Sequence, residues 1–313
     1  MGVNAKKVAV LGSWHKVMFL NGDRIPGKGE TVLGNDYFVT YGGKGANQAC
    51  ACGLLGGNCE LIQNLGDDDD GRKSVELFKE YNVKTDYVNL MPGQLTGLAL
   101  VMIDKNGENS IMDIAGAHGQ YRPEDIDRAE GAFKDAFIAG FVLETNIDAT
   151  IYAIKKAYDM GVPVFLDPAP VESFDPVIYP YLTWIKPNEH EASLLSGIEV
   201  VDFDSAVKAG HWFMDQGVKN VLITLGGGGS VLVTPTLTKA FKAPKVNVVD
   251  TTTAGDIFAG SFLYALSVEM PIEDAVKFAT CAGSLAVTKP GAMESAASYD
   301  EVTLLFNEVK DSL

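Results

Sequence analysis

The distribution of apolar residues along the chain predicts a buried parallel β-sheet. Residues 7–13, KVAVLGS, form a continuous apolar run, which is typical of a strand that is buried on both faces. From residue 123 onward, apolar runs alternate with helical patterns: AFIAGFVLE is followed by DATIYAIKKAYDMG and then by VPVFLDPAP. Regular alternation of this kind predicts an α/β fold in which a mostly parallel sheet is flanked by helices.

A second pattern predicts a small separate sheet. Residues 32–41, VLGNDYFVTY, alternate between apolar and polar positions, which indicates a strand with one solvated face. Residues 85–116 contain few helix signals but include two apolar runs joined by DKNGEN, in which Asn106-Gly107 is a strong hairpin signal. We therefore expect these segments to form a small antiparallel sheet outside the main core.

Composition and charge exclude several classes of function. The chain has 313 residues, of which 47% are hydrophobic, and its formal net charge is -16. Nucleic acid is not an expected partner, because phosphate backbones require a basic surface. The chain opens without a signal-peptide pattern and has no apolar run of the ~20 residues that span a bilayer. We expect no membrane association and a cytoplasmic location.

The four cysteines do not indicate a metal site or a disulfide framework. Cys50, Cys52, Cys59 and Cys281 include no C-x-x-C pair, and no Cys/His cluster has zinc spacing. We expect all four to be reduced packing residues.

Two glycine-rich turns have open interpretations. The turn in YGGKGANQA, residues 41–49, permits close approach of a ligand to the backbone, with Lys44 and Asn47 as hydrogen-bonding groups; it is also compatible with a tight turn that enters a helix. The four glycines in ITLGGGGSVLV, residues 223–233, fit either a plain hairpin or backbone contacts to a nucleotide.

A third turn, in VDTTTAGDIFAG at residues 249–260, places a carboxylate at the start of a predicted helix. The amides of Ala254, Gly255 and Asp256 would lie at the helix N-terminus, where unpaired N–H groups favour a phosphate. Asp256 would then be placed to accept a proton from a hydroxyl that attacks a phosphoryl group. The alternative is that Asp256 is only an N-cap. Neither the dinucleotide-binding G-x-G-x-x-G after the first strand nor a P-loop motif is present.

Taken together, GGKGANQA and DTTTAGDIFAG resemble the two motifs of the ribokinase family of sugar kinases. WIKPNEHEASLLSG, VLITLGGGGS and AVTKPGA also occur in the family's order, so the resemblance covers nearly the whole chain. The resemblance implies a ribokinase-like α/β domain made of residues 1–12, 43–91 and 117–313. It also implies a β-sheet lid made of residues 13–42 and 92–116, which in this family often pairs between two subunits, so we expect a homodimer.

The resemblance implies roles for particular residues. Asp256 would be the base that deprotonates a primary hydroxyl, and Thr253, Ala254 and Gly255 would form the turn that holds the γ-phosphate. The implied sugar contacts are Gly43, Lys44, Asn47, Glu144 and Asp256. The implied nucleotide contacts are Asn188, Thr224, Gly226 and Gly229, and Asn188 and Glu191 would place Mg²⁺. The implied site for a potassium-like ion comprises Asp250, Thr252, Ala286, Lys289, Gly291 and Ser295.

One stretch departs from the family pattern. Ribose-specific members carry an asparagine and an aspartate shortly after the first strand, whereas this chain has GSWHKVM, with His15 and Val17 at those positions. Valine cannot accept hydrogen bonds from vicinal hydroxyls, which argues against ribose as the substrate. Trp14 would either stack on a ligand ring or pack within the protein. His118 stands where we expect a smaller polar residue near the sugar or the lid.

The sequence therefore predicts a Mg²⁺-dependent kinase that uses ATP, with K⁺ as an activator, to phosphorylate a primary hydroxyl of a small carbohydrate. A nucleoside kinase is the alternative within the enzyme class. A sugar-binding or regulatory protein on the same scaffold is the alternative outside it.

Overall fold

The computed structural model describes residues 4–313, with no description of the Ser173 side chain. The strands are β1 (Lys7–Leu11), β2 (His15–Gly22), β3 (Gly34–Gly42), β4 (Asn58–Gly66), β5 (Lys84–Met91), β6 (Gly97–Ile103), β7 (Asn109–Ile114), β8 (Ile138–Phe141), β9 (Val164–Leu166), β10 (Trp184–Ile185), β11 (Asn220–Thr224), β12 (Ser230–Val233) and β13 (Thr238–Phe241). The α-helices are α1 (Lys44–Leu54), α2 (Asp69–Glu80), α3 (Pro123–Arg128), α4 (Glu130–Phe133), α5 (Ile147–Asp159), α6 (Glu189–Ser196), α7 (Phe203–Asp215), α8 (Ala254–Ser267), α9 (Ile272–Ala286) and α10 (Tyr299–Val309).

The large sheet has the strand order β13-β12-β11-β10-β9-β8-β1-β4-β5. The strands from β11 to β5 are parallel, and β12 and β13 continue the sheet as an antiparallel edge. Strand β1 lies inside the sheet, between β8 and β4, which explains its continuous apolar sequence. The predicted mostly parallel sheet is confirmed.

Helices cover both faces of this sheet and create two apolar layers. Val8 and Val10 of β1 belong to one buried cluster, and the alternating residues Ala9 and Leu11 belong to the other. Because successive side chains of a strand point to opposite faces, β1 contributes to both layers. The sheet is thus held between two cores, and its strand ends are free to carry polar residues.

The small sheet has the order β3-β2-β6-β7. The predicted hairpin at Asn106-Gly107 joins β6 to β7, which are antiparallel. The expectation of an antiparallel sheet is wrong for the middle of the sheet, because β2 pairs with β6 in parallel. Strands β2 and β6 both begin next to the large domain, where His15 pairs with Gly97, and so they run in the same direction. We call this end of the small sheet the root of the lid.

The carboxyl ends of the parallel strands gather polar residues at one edge of the large sheet. Glu144 follows β8, Asp167 follows β9 and Lys186 follows β10, each within three residues of the strand end. In open α/β sheets, ligands bind outside these ends. The topology therefore brings together residues that are far apart in sequence.

Two further expectations have structural outcomes, and a run of acidic residues at positions 67–70 has a structural explanation. Cys50, Cys52, Cys59 and Cys281 are buried free thiols in the described part of the chain, as expected. Within residues 4–313, no helix is both long and apolar enough to cross a membrane. Asp68 caps α2 by accepting a hydrogen bond from the Gly71 amide, and Asp69 and Asp70 lie in its first turn, so this acidic run has a structural role.

Candidate active site

Asp256 lies in the first turn of α8 and is almost completely buried, with 5% of its surface exposed. Its Oδ2 accepts a hydrogen bond from the Asn47 amide at 2.9 Å. Burial raises the pKa of Asp256 to about 6, while the positive charge of Lys44 acts in the opposite direction. A carboxylate with this pKa is ionised at neutral pH and is still basic enough to accept a proton.

The turn before α8 is shaped for close approach of a ligand to the backbone. Thr253 adopts a left-handed conformation with φ of 60°, and its hydroxyl donates to the Ala292 carbonyl at 3.1 Å. The Gly255 amide has no hydrogen-bond acceptor within residues 4–313, and the Ala254 amide makes only a long contact of 3.4 Å to the Thr251 carbonyl. These two amides are available to an anion at the positive end of the helix dipole.

One expectation about this turn is wrong. The Asp256 amide donates to the Thr253 carbonyl at 2.9 Å, so it is not free to bind a phosphate. Because Thr253 is left-handed, its carbonyl lies below the first turn of α8, where it accepts the amide hydrogen of Asp256, three residues later. The amides of this turn that remain open are therefore those of Ala254 and Gly255.

Helix α1 begins against the loop that follows β1. A Cβ on Gly43 would lie 2.3 Å from the Ser13 carbonyl oxygen, so only glycine fits there. The next amide, that of Lys44, donates to Glu144 Oε2 at 2.8 Å, and the Ser13 hydroxyl also donates to this oxygen. These contacts fix the position of Glu144 at the end of β8, next to the start of α1.

The Lys44 side chain lies among several acidic groups. The neighbouring carboxylates, first of all Asp256 and then Asp167, Glu144 and Glu191, raise the pKa of Lys44 far above its usual value. Within residues 4–313, no carboxylate oxygen lies within 4.0 Å of Lys44 Nζ. The neighbouring carboxylates thus stabilise the protonated form of Lys44, although within residues 4–313 its ammonium makes no direct ion pair.

Asp167 and Lys186 complete the buried polar network, and neither was assigned a role from the sequence. Lys186 Nζ lies 2.9 Å from Asp167 Oδ2, and both side chains are 4% exposed. Lys186 also donates to the Gly255 carbonyl at 3.3 Å, and the Gln48 amide donates to Asp167 at 3.0 Å. The KPN sequence at residues 186–188 marks the end of β10, but nothing in it indicates that the lysine turns inward to the α8 turn.

The predicted nucleotide residues lie at adjacent strand ends. Asn188 and Glu191 cap α6 reciprocally: each side chain accepts the other residue's amide hydrogen bond, at 2.8 and 2.9 Å. Thr224 bridges to Asn188 at the end of β11. The segment Gly226–Gly228 forms a 3₁₀ turn between the antiparallel strands β11 and β12, and Gly229 follows it. The hairpin interpretation of the four glycines is therefore correct, and it leaves contact with a nucleotide open.

Burial and the adjacent Asp167 raise the pKa of Glu191, while Lys186 lowers it. Within residues 4–313, no group of three or more His, Cys, Asp or Glu side chains is placed to hold a metal ion.

Most of the residues expected at a monovalent-cation site are brought together by two loops. Asp250 accepts hydrogen bonds from the Thr252 amide at 2.8 Å and from the Gly291 amide at 3.3 Å. Ser295 is buried and lies 3.5 Å from the Thr253 hydroxyl. The Lys289 ammonium, in contrast, points to Glu301 at 3.1 Å, and only its backbone approaches Ala286.

The divergent stretch after β1 divides between the core and the lid. Trp14 is fully buried, contacts Phe78 and Tyr41, and donates its indole N–H to the Ser74 hydroxyl at 2.7 Å. Stacking of Trp14 on a ligand ring is therefore excluded. His15 begins β2, and Val17 is half-buried on the same face of the lid. His118 is buried, and its ring contacts the His15 ring.

Comparison with known proteins identifies the family. The model of the pfkB family of carbohydrate kinases matches residues 5–298. The chain belongs to this family. It is 35% identical to a ribokinase from Haemophilus influenzae over 97% of this chain and 99% of that protein. It is also 31% identical to a deoxyribokinase from Salmonella typhi over 96% of this chain and 97% of that protein. The structure of Arabidopsis thaliana ribokinase complexed with ribose and ATP superimposes with a TM-score of 0.89, at 30% identity, over 96% of this chain and 99% of that one.

Membership of the family confirms the ribokinase-like fold and the class of reaction. The protein is a carbohydrate kinase, that is, a phosphotransferase with an alcohol group as acceptor. The buried Asp256 carboxylate and the open Gly255 amide lie next to each other at the start of α8.

Proposed function

We propose that this kinase transfers the γ-phosphoryl group of ATP to a primary hydroxyl of a small sugar, with Asp256 as the general base. The observation that carries the proposal is a buried carboxylate with a raised pKa one residue after a free Gly255 amide. In the proposed step, the hydroxyl proton moves to Asp256 as the hydroxyl oxygen attacks the phosphorus, and ADP leaves. The Ala254 and Gly255 amides and the Lys44 ammonium stabilise the charge on the transferred group.

Mg²⁺ is a proposed cofactor. Asp256, Asp167, Glu144 and Glu191 surround Lys44, so a polyanionic nucleotide would enter a site that is rich in negative charge. Mg²⁺ is commonly bound by one or two carboxylates together with substrate phosphates. Glu191 would supply such a carboxylate, with Asn188 beside it. When bound, the ion would neutralise charge on the phosphate oxygens.

A potassium-like ion is proposed as an activator. Asp250 and the buried Ser295 lie beside the turn that carries Thr253, and the Val287 carbonyl accepts from the Asp250 amide at 3.2 Å, so several oxygen atoms lie near this turn. Potassium favours such a set over nitrogen or sulfur ligands. An ion there would order the α8 turn without touching the substrate.

For the nucleotide, we propose contacts from Asn188, Thr224, Gly226 and Gly229. Supporting this assignment, these residues lie at the ends of β10 and β11, beside Glu191. For the sugar, we propose Gly43, Lys44, Asn47 and Glu144 around Asp256, with His15 and Val17 from the lid. The two domains are proposed to have the boundaries given above.

Two alternatives remain distinguishable. A nucleoside kinase would need room for a base beneath the lid, and no observed contact favours it over a sugar kinase. A non-catalytic binding protein would not need a raised pKa at Asp256, so that observation counts against it. We further propose that the protein is cytoplasmic. We also propose that it forms a homodimer that pairs through the lid, because the lid exposes the apolar residues Tyr37, Met112 and Ile114.

A coupled assay of ADP release tests this function. The panel consists of D-ribose, 2-deoxy-D-ribose, D-fructose and adenosine, each with ATP and MgCl₂, with and without KCl. We expect release of ADP that depends on at least one sugar and increases with KCl. A thermal-shift measurement on the same panel reports binding separately. Stabilisation by a sugar without release of ADP would contradict the proposed function and favour the non-catalytic alternative.

A further inference from the structure

The lid carries a charged residue that the sequence analysis did not consider. Asp113 lies on the outer strand β7, between the apolar residues Met112 and Ile114. Its side chain is 55% exposed, and its Oδ1 lies 3.1 Å from His15 Nε2. The nearby His15 lowers the pKa of Asp113, so this group is a carboxylate at neutral pH. An acceptor with capacity for further hydrogen bonds is thus fixed on the lid.

The register of the lid strands places this carboxylate on the face that carries the divergent residues. Val17 pairs with Ala99 on β6, and Ala99 pairs with Asp113 on β7, so these three side chains share one face of the sheet. His15 is two residues before Val17 and therefore points to the same face. The adjacent Lys16 points to the opposite face, where it binds Asp70 of α2. Asp113 thus stands in line with Val17, two strands further out.

A chain of contacts joins this face to the proposed base. His15 pairs across the sheet with Gly42. Gly42 is followed by Gly43, whose backbone N–H donates to Asn47 Oδ1 at 3.4 Å. The side-chain nitrogen of Asn47, Nδ2, donates to Asp256. The His15–Asp113 pair therefore lies at the root of the lid, next to the segment that carries the proposed sugar contacts.

A second histidine fixes the orientation of the first. The rings of His15 and His118 meet edge to face, with their centroids 4.3 Å apart. His118 Nδ1 lies 3.0 Å from the Trp14 carbonyl, and since a carbonyl can only accept, this nitrogen carries the proton. Burial lowers the pKa of His118 to about 4, so the ring is neutral. A Cβ on Gly97 would lie 2.9 Å from both rings, so glycine at this position makes room for the pair.

We infer that Asp113, oriented by His15 and His118, is the residue that binds a pair of neighbouring hydroxyl groups of the substrate. This inference rests on the proposed function. Val17 offers no acceptor for such hydroxyls, and Asp113 supplies a carboxylate on the same face from another strand. The substrate class is accordingly a sugar or nucleoside with a vicinal diol, and a deoxy analogue is discriminated against because it leaves the carboxylate without its partner.

The test is a measurement of binding, so that it does not depend on turnover. Dissociation constants are measured by calorimetry without nucleotide for two pairs of compounds: D-ribose with 2-deoxy-D-ribose, and adenosine with 2′-deoxyadenosine. For at least one pair, we expect the wild-type kinase to bind the deoxy compound about tenfold or more weakly. In Asp113→Asn the ratio should fall to within about threefold of unity, because the amide retains the shape but loses the charged acceptor. His15→Asn should give an intermediate ratio.

The matched control is Glu108→Gln, which makes the same change at an exposed carboxylate in the β6–β7 turn of the lid. It should retain the wild-type ratio. A wild-type ratio near unity for both pairs, failure of all four compounds to bind, or an unchanged ratio in Asp113→Asn would each overturn the inference. These outcomes are separate from the ADP-release assay, whose failure would count against the proposed reaction whatever the binding ratios are.

Discussion

Asp256 and Lys44 carry opposite charges in one buried site, and each changes the proton affinity of the other. Asp256 is the main cause of the raised pKa of Lys44, and Lys44 is the main group that limits the rise caused by burial in the pKa of Asp256. If Asp256 is the base, it must be unprotonated for transfer. The acid side of the pH profile therefore reports its ionisation.

We expect kcat/KM to fall about tenfold per pH unit below about pH 6, the pKa of Asp256. In Lys44→Met this acid limb should move to higher pH, because removing a positive charge disfavours the carboxylate form. Lys105→Met, which changes an exposed lysine in the lid turn, is the control and should leave the limb in place. Measurement of kcat/KM from pH 5 to 9 decides, and an unmoved limb in Lys44→Met would show that the titrating group is not Asp256.

The residues that follow β9 and β10 support the first turn of α8. The ion pair between Asp167 and Lys186 is buried, and Lys186 also binds the Gly255 carbonyl. Loss of one partner leaves the other charge buried and unpaired, which typically costs 3–5 kcal/mol. Each partner is therefore needed to compensate the buried charge of the other, and Lys186 in addition positions Gly255.

These two contributions can be separated. Lys186→Met should lower the free energy of unfolding by about 3 kcal/mol or more and reduce kcat by about tenfold or more. The double variant Asp167→Asn/Lys186→Met removes both charges and should recover most of the stability. Its kcat should stay low, because nothing then holds the Gly255 carbonyl. Urea unfolding and turnover are measured on the same preparations, and a double variant with wild-type kcat would reduce the pair to a purely structural role.

The sequence predicted the elements that have a local signal. The apolar run of β1, the strand–helix alternation after residue 123 and the Asn106-Gly107 hairpin depend on neighbouring residues, and the structure confirms each of them. Strand β2 has no clean alternation in HKVMFLNG, so only the family resemblance assigned it to the lid sheet. Its parallel pairing with β6 depends on how two distant segments leave the large domain.

The site shows the same division. The motifs around Lys44 and Asp256 mark the ends of helices and were found from the sequence, and the structure places them together. Asp167 and Lys186 were missed because their contacts join three strand or helix ends that lie far apart in sequence. Asp113 was missed because it looks like one exposed acid in an apolar strand, and only the register shows that it meets His15.

At the scale of the whole molecule, the lid exposes an apolar face. One of its faces exposes Tyr37, Val39, Met112 and Ile114, with Met112 61% exposed. Apolar patches of this kind on a soluble domain usually mark an interface. A second copy of the lid would cover this face, as proposed above.

We expect the kinase to be a dimer by light scattering, and Met112→Lys to shift it towards monomer, because a charge at a desolvated interface is costly. Leu304→Lys places the same charge on α10, where the leucine is 64% exposed, and should leave the dimer intact. Dissociation by both variants, or by neither, would argue against an interface through this face of the lid.

The most direct test of the central claim is the turnover of Asp256→Asn, measured as ADP release with the best sugar of the panel. The account predicts a loss of about 10²-fold or more in kcat, with the dissociation constant for ATP nearly unchanged. Burial makes the pKa of Asp256 higher in the folded protein than in an unfolded chain, so ionisation of Asp256 reduces stability as the pH rises from the ordinary value of 3.8 to about 6, and the neutral asparagine removes this cost. Circular dichroism of the variant checks that it is folded. A folded Asp256→Asn variant that turns over at the wild-type rate would contradict the account.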